Sequence, residues 1–508
     1  MASPATVPVK LLDAKHADYA ANAETWDSIE LLYRGGSALK AQAERFLVKR
    51  PKELSDVYAA RVSRFTYQNI LGTALGWYQA AMFETDPDIL IRRADEGEPN
   101  EEQAAAYQRF LNDCDRCGTT YTDMWRRVYL STLLFRSAFV LIDLPKIGGE
   151  PATLAEQKAM GALDPYIVLY DPRQVINWET DAYGNLAWVV IQTTTERRAF
   201  GAETAVVDRW YYFDRAEYRV YESQRKEAAK KAETAALIDE GRHALADVGR
   251  VPVRWIQIPD GLWLASRAFL PALSHLDLQN AFHWGLFNGC LPTLYVKGEF
   301  EEPPNRSEIS YIQVPADGEI GYIEPSGTSF EIASREIQAL REEIYRQMYL
   351  QAQGRSSTAT ASAQSGYSKE IDMAPSRDVL NGFGDVLRAG MQAVLGDVAA
   401  IRGDVDLTFD VRGFSFDEDE SAAELETAQL AADLNIPSGT LEKEVQKKVA
   451  RCLLKDARPD VIQKVEAEID AAPTKEERAA AEEQRQRQQI RASLAGAMNR
   501  MADADVNT

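Results

Sequence analysis

Two stretches decide how this chain is read: residues 271–289, PALSHLDLQNAFHWGLFNG, and residues 330–353, FEIASREIQALREEIYRQMYLQAQ. In the first, Leu273, Leu276, Ala281, Phe282 and Leu286 recur at helical spacing, and Pro271 suits a first turn, where its missing N–H costs nothing. In the second, Ile337, Leu340, Ile344 and Met348 mark one face, while Glu331/Arg335 and Glu342/Arg346 are spaced as ion pairs on the others. At its rise per residue this second helix would run about 35 Å. Between the two lies a span dense in breakers, with Pro292, Gly298, Pro303, Pro304, Pro315, Gly318, Gly321, Pro325 and Gly327. It carries the strand-like runs Thr293 to Lys297, Ser310 to Val314 and Ile320 to Ile323. The pattern is a small β insertion carried on two long helices. Each helix has apolar residues on more than one face, more than a two-helix hairpin buries, so a neighbouring subunit is expected to cover the rest.

Upstream, the period is mixed. Residues 16–48 and 53–83 read as helices separated by Pro51, with Pro87 ending the second. Glu101 to Leu111 and Thr122 to Arg136 read as further helices, and Ala138 to Ile142 as a short buried strand. From Tyr166 the period becomes that of strands: 166–170, 174–178, 186–195, 206–213 and 218–221, separated by turn residues such as Asp171-Pro172 and Gly184-Asn185. Residues 223–248, rich in Ala, Lys and Glu, read as an exposed helix or loop, and 251–258 as an edge strand because of Pro252. All nine Trp lie between Trp26 and Trp284, as befits a packed α+β body.

Downstream, Gly354 to Ala374 has almost no side chain large enough to bury and is expected to be a mobile loop. Pro375 to Arg402 reads as a helix and Asp406 to Phe416 as a strand. From Asp417 onward, 20 acidic and 13 basic residues sit on helices with caps expected near Ser421, Ser438 and Thr474. The polar stretch from Lys475 to Gln489 is expected to fray.

The chain has 508 residues, 57 Lys and Arg against 78 Asp and Glu, and a net charge of −21. That balance argues against a protein whose main task is gripping phosphates. Four cysteines exclude a disulfide scaffold, and no signal peptide or membrane span is readable. No Lys is followed by Ser or Thr, so no P-loop exists, and neither a His-Glu-x-x-His motif nor a Gly-x-Ser-x-Gly elbow is present. Cys114 and Cys117 have the spacing of half a zinc site, but Cys290 and Cys452 stand far away, so no metal site and no cofactor is expected. His275 and His283 share a helix face and read as partly buried polar residues facing another helix. Asp417-Glu-Asp-Glu420 reads as a solvated run at a helix start. Arg45, Arg50, Arg61 and Arg64 with Tyr58 and Tyr67 read as an amphipathic helix surface paired with nearby Glu, ahead of a nucleic-acid patch. No catalytic constellation emerges.

The element order resembles the portal proteins of tailed bacteriophages. The stretches that carry the resemblance are Gly321-Tyr-Ile-Glu-Pro-Ser-Gly327 leading into Glu336-Ile-Gln-Ala-Leu-Arg-Glu-Glu-Ile344, then Ala363-Gln-Ser-Gly366-Tyr-Ser-Lys369. Near the N-terminus Tyr33-Arg-Gly-Gly, Arg45-Phe-Leu, Tyr58, Arg61, Asn69 and the Met82-Phe83…Pro87 ending resemble one portal subgroup. The resemblance implies an α+β wing over 1–262, a first stem helix over 263–290, a clip over 291–328, a second stem helix over 329–353 and a tunnel loop over 354–375. It further implies a wing return helix and strand over 376–416 and a helical crown with a polar tail over 417–508. It implies a homo-oligomeric ring, of twelve subunits in such proteins, at one capsid vertex of the virion, assembled in the host cytoplasm. Double-stranded DNA would pass through the ring, weakly bound. The terminase large subunit and the head–tail adaptor would dock on the clip, and the major capsid and scaffolding proteins on the wing. No membrane and no hydrolysis by the portal itself are implied. Within this frame Arg355, Gln364, Ser365 and Lys369 are the residues expected at the channel, and Lys297, Glu299, Glu301, Glu302 and Arg306 those expected at the docking clip. The alternatives are another phage head or scaffold protein without a channel, and an enzyme whose metal-dependent site is assembled from scattered carboxylates.

Overall fold

The structure, a computed structural model, describes residues 6–95, 97–146, 161–197, 205–225, 232–289, 293–297, 318–323, 327–351, 366–416, 430, 438–453, 459–473 and 484–489. The chain is α+β and divides into two units, Met1–Phe416 and Asp417–Thr508. Strand β1 (Thr6–Pro8) precedes helix α1 (Ala17–Arg34), which ends where Gly35 and Gly36 both take φ of 56°. Two successive left-handed residues cannot continue a helix, so residues 36–46 form only short turns of helix instead of extending α1. Helix α2 (Ser55–Ser63) and helix α3 (Ile70–Met82) are likewise separate, because Asn69 caps α3 by accepting from the Gly72 N–H at 2.8 Å.

Strand β2 (Asp88–Arg93) follows, then α4 (Glu101–Asn112) with a capping box between Asn100 and Gln103, and α5 (Tyr121–Phe135), capped by Thr120. Strand β3 (Ser137–Asp143) is buried along its length and is the centre of a three-stranded sheet, flanked by β4 (Tyr166–Tyr170) and β10 (Val253–Gln257). The edge position expected from Pro252 is therefore found. Strands β5 (Val175–Thr180), β6 (Leu186–Arg197), β7 (Ala205–Asp214), β8 (Glu217–Arg225) and β9 (Thr234–Arg242) form an antiparallel meander that β1 completes at the far edge. Residues 234–242 are thus a strand and not the exposed helix or loop expected from their polar composition. Beyond the buried Ala235 their side chains alternate between exposed and half-buried, which leaves little apolar signal in the sequence.

Helix α6 (Leu264–Gly289) begins seven residues earlier than expected, placing Pro271 inside it. Strands β11 (Thr293–Lys297) and β12 (Glu319–Ile323) pair antiparallel, Thr293 opposite Ile323. Helix α7 (Thr328–Gln347) stops short of the expected Gln353, because Tyr349 takes φ 55° and the Leu350 N–H returns to the Tyr345 carbonyl at 2.8 Å. That closure buries Met348 and Leu350 in the body.

Helix α8 (Gly366–Arg402) contains Pro375, so residues 366–374, expected in a mobile loop, are helical. From Tyr367 onward this stretch includes Lys369, Glu370, Met373 and Ala374, all good helix formers. The rest of that tract lies outside the described residues. Strand β13 (Leu407–Arg412) returns to pair with β2, a strand that residues 88–93 do not announce by alternation. The core gathers Trp125, Trp210, Tyr78, Tyr107, Tyr121, Tyr129, Phe139 and Phe383, all fully buried.

In the second unit α9 (Gly439–Leu453) pairs with α10 (Pro459–Ala471). Lys447 bridges Asp470 at 2.8 Å and Arg451 bridges Glu466 at 2.5 Å. Ser438 accepts from the Leu441 N–H as the expected cap, whereas Ser421 and Thr474 lie outside the described residues. Among the described residues no helix is long and apolar enough to cross a membrane.

Candidate assembly surface

Helices α6 and α7 are antiparallel partners. Phe330 meets Phe282 edge-on at 6.2 Å and lies over Gly285, where a Cβ would sit 3.1 Å from its ring. Toward the other end, Arg267 donates to the Tyr349 hydroxyl at 2.9 Å. The body holds this pair at two places. Asn280 exchanges two hydrogen bonds with the Thr66 backbone, at 3.0 and 2.9 Å, and His283 Nδ1 lies 2.8 Å from the Thr66 hydroxyl. Arg64 stacks over Phe287 at 3.6 Å. At the end of α7 the Tyr78 hydroxyl donates to the Met348 carbonyl at 2.6 Å, and the Ser376 hydroxyl donates to the Tyr349 carbonyl.

With these contacts made, several large apolar side chains still face water. Leu270 on α6 is 68% exposed and Ile332 on α7 is 63% exposed, with Phe287 and Ile320 of β12 also exposed. A groove lined by Phe46, Phe269 and Leu273 adds to this surface. The expected Glu331/Arg335 pair forms at 3.6 Å, but Arg346 bonds Glu343 and not Glu342, at 2.6 Å.

The residues singled out in the sequence are scattered differently. Lys297 is exposed at the end of β11, opposite Glu319. Glu299, Glu301, Glu302 and Arg306 lie outside the described residues, as do Arg355, Gln364 and Ser365. Lys369 sits in the first turns of α8. His275 is buried, and burial together with Arg341 pulls its imidazole below the usual range. Its partner in the sequence pattern, His283, is exposed.

Cys114 is buried and its thiol is pushed up to about 12 by desolvation, whereas Cys117 is exposed. The arginine group near residue 50 disperses. Arg45 donates to the Glu24 carbonyl and to Ser28, Arg64 goes to Phe287, and Arg61 is buried against Glu53.

Sequence reasoning missed the polar anchors made by distant residues. Asp397 of α8, 1% exposed, bonds Arg254 and Arg250. Arg173 bridges Asp171, Glu30 and Asp27, and against its burial Asp171 and Glu30 hold its guanidinium above the usual range. No spacing rule connects partners 143 residues apart.

Comparison with known proteins finds no family model and no curated protein that match. Among solved structures the chain is similar to a chain in the neck of an empty gene transfer agent particle computed with C6 symmetry, at 10% identity and a TM-score of 0.40. It is similar to one in the virion of the native particle at 0.37, and to one in the neck of the native particle computed with C12 symmetry at 0.35, both at 10% identity. In each case 80% of this chain and 98% of the other are covered.

Proposed function

We propose that the chain is a subunit of a portal ring at the head–tail vertex of a phage-like particle. The observation that carries this reading is the α6/α7 pair. It is clamped to the body, tipped by the β11/β12 ribbon, and leaves Leu270, Phe287 and Ile332 in water. Apolar side chains held in fixed positions on a rigid helix pair are suited to a heterologous contact with an identical neighbour, which closes a ring when the rotation permits. The ribbon, between the two helices, has short strands that among the described residues pair only with each other, and it is the docking place for a packaging motor and a tail adaptor. Duplex DNA would pass through the ring and be held weakly, because every added copy adds a net charge of −21 that repels phosphate. Arg355 and Lys369 are the cations proposed to face it.

Negative-stain images of the purified protein test this directly. Closed rings with a central hole are expected, together with weak, salt-sensitive retention of duplex DNA. A stable 56.7 kDa monomer at micromolar concentration would overturn the reading. A filament or an assembly without a hole would favour a different head protein.

A further inference from the structure

Residues 47–54, Leu-Val-Lys-Arg-Pro-Lys-Glu-Leu, form a loop whose one acid is turned inward. Both Arg61 and Glu53 are nearly buried, at 4% and 6% side-chain exposure, and Arg61 Nε and Nη2 each donate to the carboxylate at 3.0 Å. The Arg50 N–H adds a third bond to Glu53 at 2.9 Å, Arg61 also reaches the Val48 carbonyl, and the Tyr58 hydroxyl bonds the Leu47 carbonyl. Lys52, at φ 64°, makes the turn.

Outward the loop shows Lys49, Arg50 and Lys52 between two bare apolar side chains, Val48 at 77% and Leu54 at 68% exposure. Among the described residues no carboxylate lies within ion-pair distance of those three cations. On a chain of net charge −21 this is a fixed cationic and apolar knob.

The complementary surface lies elsewhere on the same chain. Val405, 87% exposed, stands in the turn between α8 and β13. The neighbouring Asp406 carbonyl accepts from the Ala94 N–H, and Gln103 bonds both Asp404 and Asp406. That packing brings Asp95, Glu98 and Glu101, all exposed, beside this turn as a ridge, where their carboxylates outnumber the cation among them, Arg93, which lies 3.4 Å from Asp95 and 3.7 Å from Asp406.

The two surfaces adjoin different parts of the fold. The knob adjoins Phe269 and Leu273 of α6 through Phe46. Ser376 of helix α8 bonds the carbonyl of Tyr349, whose hydroxyl accepts from Arg267, and six residues on Gly382 packs against Leu262, so from Ser376 the helix runs away from Leu273. It reaches Arg402 about 30 Å further on.

We propose that the knob of one copy docks on the acidic ridge of a second copy, Val48 and Leu54 against Val405 and the cations against the carboxylates. Opposite charges around an apolar centre set the register of such a contact. The inference rests on the ring reading and assigns one of its contacts.

The test uses two charge reversals of the full chain. One carries Lys49→Glu, Arg50→Glu and Lys52→Glu, the other Asp95→Lys, Glu98→Lys and Glu101→Lys. Each alone should assemble at least tenfold more weakly than wild type by light scattering, because acidic would face acidic and basic would face basic. Mixed in equal amounts, the two should assemble again in alternation, which also certifies that both are folded. A mixture no better than its components, or single variants that assemble like wild type, would overturn the proposal while leaving a ring possible by other contacts. A monomeric wild type would overturn both. A knob variant that assembles normally but loses its residual grip on duplex DNA would assign the knob to phosphate instead.

Discussion

Asp397 in α8 and Arg254 in β10 form an ion pair in which the carboxylate is 1% exposed and the guanidinium still reaches water, at 30%. Arg254 Nη2 donates to Oδ1 at 2.6 Å and its Nε to Oδ2, while Arg250 adds a bond at 3.2 Å. The pair ties α8 to the three-stranded sheet. Asp397→Asn should therefore lower stability by about 3 kcal/mol, the low end of what losing one partner of a buried pair costs, because Arg254 keeps some hydration. A shift of the urea midpoint at unchanged slope is the measurement.

Two glycines of α8 should respond in opposite directions. A Cβ on Gly390 would lie 2.7 Å from the Trp125 ring, whereas nothing stands within 4 Å of one on Gly396. Gly390→Ala should destabilise by about 1–2 kcal/mol through overpacking, less the helix gain. Gly396→Ala should stabilise by up to about 1 kcal/mol. Thermal unfolding of the two variants side by side checks the sign.

Glu53 should make the loop before α2 acid-sensitive. Its pKa is held at about 2, first by the Arg61 side chain and then by the Arg50 N–H, against 4.5 ordinarily. A depressed carboxylate stabilises the fold above the unfolded value, and that contribution is lost as pH falls from about 4.5 toward 2. Hydrogen exchange over residues 47–61 should accelerate in that window after correction for intrinsic rates. In Glu53→Gln it should be faster at pH 7 and flat across the window.

The two neighbouring cysteines should differ sharply. Cys117 should react with a maleimide at pH 7.5 within minutes, and Cys114, buried and with its thiol pushed up to about 12, only after unfolding. Peptide mass mapping before and after denaturant reads both sites.

What the sequence made legible follows from how local each signal is. The strand of residues 166–170 matches its structural bounds, and α4 and α5 match within a residue or so, because period and caps lie within the element itself. The antiparallel helix pair and its ribbon were legible for the same reason. Strand β2, Asp-Ile-Leu-Ile-Arg-Arg, lacks clean alternation and exists because β13 pairs with it from more than 300 residues away. Pro271 marked a helix start by local rule, yet the buried residues Trp263, Leu264, Ala265 and Ala268 extend the helix through it. The exposed apolar residues of α6 and α7 were foreshadowed by the spread of Leu and Ile over several faces. The Asp397 anchor and the inward turn of Glu53 were not, because they depend on which distant or looped-back residue arrives beside a charge.

Helix α8 has a mechanical consequence. It is pinned in its first third by Ser376 on Tyr349, beyond its middle by Gly390 against Trp125, and near its end by Asp397 on Arg254. From Ser376 to Asp397 this strut spans about 32 Å. Tyr349 closes α7, whose other end leads to the β11/β12 ribbon, so α7 and α8 are joined through the Ser376 bond to the Tyr349 carbonyl. Because α8 is also anchored at Trp125 and Arg254, a displacement passed through that bond is expected to reach β10. A reporter placed on the three-stranded sheet would therefore register events at the ribbon that it never touches.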